Sequence, residues 1–135
     1  MENIERAVLF ENQDYTKETD AMMREYRTQF LIKYKCAVED IKRCKGLSII
    51  LNNKYALNDI DEMLNQLYYM NIDYDMKVDI ISSLKETRAY IEKALNYAME
   101  DPVESHECLV NSLMCLAAAR GKLNDASPLP FEFCL

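Results

Sequence analysis

Apolar residues return every three or four positions along most of this chain, a spacing that predicts helices rather than strands. Met23, Tyr26, Phe30, Tyr34, Ala37, Ile41 and Cys44 form one such stripe and predict a long first helix over residues 16–45. Residues 2–13 carry Ile4, Val8 and Leu9 at helical spacing and predict a short amphipathic helix of their own. Ile60, Met63, Leu64 and Leu67 mark a second main helix, capped by Asn58 and ending near Asn71. Ile80, Ile81, Leu84, Ile91, Leu95 and Ala98 mark a third, over residues 75–100. The last, residues 102–120, is different in kind. Val103, Leu109, Val110, Leu113, Met114, Leu116 and Ala117 cover most of its circumference, and such a helix is expected to be central or covered by a partner. Between the first two helices, Ile49, Ile50 and Leu51 stand beside Asn52 and Asn53, so residues 48–57 read as either a buried loop or a helical turn.

The rare residues punctuate this pattern. Gly46 and Gly121 each follow a periodic segment, at the C′ position where a positive φ favours glycine. Asp101, Pro102 and Glu104 form the start signal of the last helix: an N-cap, a proline in the first turn and an N3 glutamate. Two glycines and three prolines in the chain are too few for the many turns of a β-sandwich. The fold class expected is therefore all-α, an up-and-down bundle of about four helices with a long first helix. The bundle is assigned to residues 1–121 and an extended apolar C-terminal tail to residues 122–135. Pro128 and Pro130 stop a helix there, and extended backbone would set Phe131, Phe133 and Leu135 on one side. The tail is expected to fold back as a plug on its own bundle.

Length and charge narrow the function classes. At 135 residues the chain makes one domain, and half its residues are apolar, enough for an ordinary core. The formal net charge is −7, which opposes the basic footprint of a nucleic-acid binder. The longest weakly polar stretch, residues 109–119, is too short to span a bilayer. Residues 1–14 hold four acids and no apolar signal core, so an intracellular protein, cytoplasmic or nuclear, is expected. Charge is uneven: residues 33–45 sum to +3 and residues 46–80 to −4, which predicts that the second helix folds back beside the first.

Candidate chemistry is thin. His106 is the single histidine, and Val103, three residues before it, breaks the Glu-x-x-His pattern of a carboxylate-bridged metal pair. The oxygen-rich run from Asn71 to Asp79 has Met76 and Ser82 where a calcium loop needs glycine and glutamate, so Asp73 and Asp75 read as helix caps. Five cysteines at positions 36, 44, 108, 115 and 134 include no close pair, and they read as small core residues. No catalytic residue, cofactor or metal is expected, and no enzyme.

Nine tyrosines and eight methionines are the more telling feature, since both types are enriched in protein contact surfaces. Tyr68, Tyr69 and Tyr74 cluster at the turn between the second and third helices, and Met22, Met23, Tyr26 and Phe30 lie where the long first helix is expected to outrun the bundle. With Phe131, Phe133 and Leu135, these are the candidate partner-binding residues. The function expected is a non-enzymatic protein–protein interaction module: an adaptor, an inhibitor or a small subunit of a homo- or hetero-oligomer. A small acidic helical chaperone or immunity-type factor that shields a client is the alternative, and a cysteine-based metal site ranks behind both. Neither nucleic acid nor membrane is expected as a partner.

Overall fold

A computed structural model describes the backbone of residues 2–126 and the side chains of residues 21–126. Four helices follow one another through short connections: α1 (Glu2–Lys42), α2 (Ile49–Tyr69), α3 (Tyr74–Tyr97) and α4 (Pro102–Asp125). No strand occurs among the described residues. Turns this short return each helix antiparallel to the one before it, so the bundle is all-α and up-and-down.

The sequence periodicity places the core correctly. Phe30, Ala37, Ile41 and Cys44 of the first stripe are buried, as are Ile60, Met63 and Leu67 on α2 and Ile80, Leu84 and Ile91 on α3. Cys108, Leu109, Leu116, Ala119 and Leu123 complete the core from α4. Three side-chain hydrogen bonds to backbone carbonyls fix neighbouring helices where apolar packing alone would let them slide. Asn53 Nδ2 donates to the Ile91 carbonyl at 2.7 Å and Ser105 Oγ to the Ala94 carbonyl at 2.6 Å. Arg27 Nη1 reaches the Leu123 carbonyl at 3.4 Å, which ties α1 to the end of α4.

Element boundaries move in four places. α1 is a single helix from Glu2, not a short helix followed by one from residue 16, because nothing before Gly46 breaks it. α2 begins at Ile49, so Asn58 lies inside the helix and caps nothing. Asparagines that resemble turn signals serve tertiary bonds instead: Asn53 as above, and Asn52 Nδ2 to the Arg43 carbonyl at 2.9 Å. α3 starts at Tyr74, with Asp73 Oδ2 accepting from the Met76 amide, and ends at Tyr97. α4 continues through Gly121 to Asp125, four residues past the boundary expected there. Among the described residues only Gly46, at φ +53°, needs the left-handed region.

The charge asymmetry is answered inside the molecule. Lys33 Nζ on α1 meets Glu62 Oε2 on α2 at 2.7 Å, so the basic and acidic stretches face each other. Phe131, Phe133 and Leu135, with the plug expected of them, lie outside the described residues.

Candidate functional site

The tyrosines and methionines singled out above come from two separate stretches of chain, and the fold joins them. Where α2 ends, Tyr69 stacks on Tyr26 of α1 with ring centroids 5.6 Å apart, and Tyr68 meets Tyr69 edge-on at 5.3 Å. Such ring pairs add roughly 0.5–1.5 kcal/mol to the area they bury. The Asn71 amide points at Met23 Sδ, 3.0 Å away. Beneath them Met70 and Ile72 are buried and anchor the turn, while Lys77 Nζ donates to the Tyr68 carbonyl at 3.1 Å. Partial burial pushes the Lys77 ammonium below its ordinary pKa.

Met22, Tyr68, Tyr69 and Tyr74 remain exposed on this end, and Met23 and Tyr26 are half-buried under them. Phe30 is a correction: it has no exposed surface and belongs to the core. The reason is helix phase. Phe30 shares its face with Ala37 and Ile41, whereas Met22 falls on the outer side of the same helix.

The opposite end was not legible in advance. The connection from α1 to α2 and the one from α3 to α4 lie side by side there, and residues of both line a cavity of about 320 Å³ that includes Cys44, Ile49, Ala98, Pro102 and His106. Around it Leu47 is 95% exposed and Met99 90%, with Ile50, Leu51 and Val103 also exposed. Ser48 Oγ caps the preceding turn by donating to the Lys45 and Arg43 carbonyls at 2.6 and 2.8 Å, so Leu47 is held out on a fixed turn. A signal existed in the sequence: five residues from Leu47 to Leu51 include four large apolar side chains, and no helix buries four so closely spaced.

A third feature lies between α1 and α2. Asp59 is buried beside Asp40, and burial together with the neighbouring carboxylate pushes its pKa up to about 7. Asp59 Oδ2 has no hydrogen-bonding partner among the described residues. Both acids border a cavity of about 530 Å³ with Cys36, Glu39, Tyr55 and Asn58. Both influences disfavour the charged form of Asp59, so holding its proton lessens the like-charge repulsion between α1 and α2.

Metal and thiol chemistry find little support here. Among the described residues no three His, Cys, Asp or Glu side chains converge on a point that would hold a metal ion. Burial raises the thiol of Cys44 to about 11, and it raises Cys108 and Cys115 as well, with Glu104 and Glu86 adding to the effect. Those three thiols stay protonated near neutral pH and are poor nucleophiles. His106 is exposed. No helix of the described chain is long and apolar enough to cross a membrane. The chain matches no family model, no curated protein and no solved structure.

Proposed function

We propose that this protein works by binding another protein, as an adaptor, inhibitor or small subunit, and that the tyrosine–methionine end is its contact surface. One observation carries the reading. Tyr26 of α1 and Tyr68 and Tyr69 of α2 come from distant stretches of chain, yet their rings brace one another, and the exposed Met22 and Tyr74 adjoin in sequence the residues that meet there. Aromatic rings already held by their neighbours lose little freedom on docking, which makes them efficient anchors. The raised thiols and the exposed lone histidine favour binding over chemistry.

Replacing Tyr74 with a photoreactive phenylalanine derivative in the native cell tests this. The expected result is one adduct of defined mass, whose protein component is identified by mass spectrometry. The adduct should be lost when Tyr68→Ala and Tyr69→Ala are added, with the helical fold intact by circular dichroism. An adduct that survives both alanines, or none at all, overturns the reading.

A further inference from the structure

The outer face of α4 breaks the usual pattern of a surface helix. Ser105, Cys108, Leu109, Ser112, Leu116, Ala119 and Leu123 turn inward. The opposite side should then be polar. Instead it carries Val103 at 70% exposure, Val110 at 42% and Met114 at 65%, continued by exposed Ala117 and Gly121. Glu107 is the one charge within that run, and Asp125, at the same helical angle as Glu107, closes the face at the last residue of the helix. At 100° per residue the six positions from Val103 to Gly121 fall in a sector about 80° wide, spaced alternately by three and four. That is the seam of a helix pair with its second helix missing.

We propose that this seam is where two copies of the chain associate, α4 packing antiparallel on α4 of the second copy about a twofold axis at the level of Ser112. The choice of occupant follows from the seam's own asymmetry. Its bulky side chains lie in the first half and its smallest residues in the second. Antiparallel alignment sets Val103 of one copy against Gly121 of the other, Glu107 against Ala117, and Val110 against Met114. A Cβ at Gly121 would meet nothing within 4 Å, so the space that Val103 needs is open. Parallel alignment would set glycine against glycine and leave a gap.

Charge agrees with the same direction. Glu104 and Glu107 lie in the first half, and Lys122 lies in the last turn on the same flank of the helix. An antiparallel second copy brings Glu104 and Glu107 of each chain near the other's Lys122 and sets Asp125 past the helix overlap, level with Met99, whereas a parallel copy would set Glu107 against Glu107. The helix dipoles are opposed in the antiparallel arrangement, and the contact repeats itself on both sides of the axis. One helix pair buries less than the ~800 Å² per partner of a standard interface, so the association is weak and concentration-dependent.

Sedimentation of the full chain from about 5 to 300 µM reads this directly, because that range brackets a micromolar Kd. The expected result is a reversible monomer–dimer equilibrium. Val110→Arg and Met114→Arg, made separately so that a folding defect in one does not decide the matter, should each weaken it at least about tenfold without loss of helicity. Glu107→Lys and Lys122→Glu should each weaken self-association, and the two variants mixed should pair with each other. A strict monomer across the range overturns the proposal, including the case in which a different protein covers this face. So does a dimer that ignores both arginine variants. Failure of the mixed charge variants to pair overturns the antiparallel arrangement.

Discussion

Both ends of the bundle expose large apolar side chains, and they do so by opposite means. At the tyrosine end, exposed rings sit on a buried base: Met70 and Ile72 plug the turn, and Tyr26 reaches across from α1 to stack on Tyr69. At the other end, Leu47 and Met99 stand almost free of the body, and the turn beneath Leu47 is fixed by hydrogen bonds from Ser48 and Asn52 rather than by packing. The first end is built by tertiary contact between distant stretches. The second is built locally, by a positive-φ glycine and two polar side chains within ten residues. Exposure alone therefore does not identify a docking surface. What separates the two ends is whether the exposed side chains brace one another.

The sharpest way to break this contrast is to place a charge at each end. Ile72→Asp buries an unpaired carboxylate in the base of the tyrosine end, at a cost of about 3 kcal/mol or more. With a total stability of roughly 5–15 kcal/mol, a large loss of melting temperature or of soluble protein should follow. A thermal melt like that of the parent would mean that the turn is not anchored as described.

Between the two ends, the carboxyl pair makes stability depend on pH. The folded protein holds the Asp59 proton up to about pH 7, whereas an unfolded chain releases it in the ordinary carboxylate range. Between these limits the folded state binds more protons, so its stability falls as pH rises. The contribution is fully present below the ordinary carboxylate pKa and is lost as pH passes the folded value. Asp59→Asn should remove that slope and raise the melting temperature at pH 8 by roughly 4 °C. Melts at several pH values check it, and a parent protein whose stability climbs from pH 5 to 7.5 would contradict the raised Asp59 pKa.

Smaller effects are expected at the locally built end. Gly46→Ala forces an L side chain into the left-handed region and should cost about 1–2 kcal/mol, although nothing within 4 Å obstructs the new Cβ. Denaturant unfolding with an unchanged slope reads this loss as backbone strain. Leu47→Asp should be the mildest, within about 0.5 kcal/mol of the parent, since an exposed side chain gives up almost nothing. A loss as large as that of Ile72→Asp would show that the two ends are built alike.

What the sequence by itself determined is the fold class, most of the core and the N-caps of α3 and α4. Periods of three and four are set by helix geometry, so Phe30, Ala37 and Ile41 or Ile80, Leu84 and Ile91 could be assigned to one face without any partner in view. Asp73 and Asp101 capped α3 and α4 as read, because a cap is a bond between residues three apart in the chain. Only tertiary structure decided the rest. It turned Asn53 from a turn signal into a buried tie to the Ile91 carbonyl, and it carried α4 through Gly121 because packing outweighs the weak helix propensity of one glycine. It also chose which apolar residues of α4 face inward and left Val103, Val110 and Met114 outside. A helix that is apolar nearly all round fits a core by several rotations, and only its neighbours, chiefly α3, select one of them.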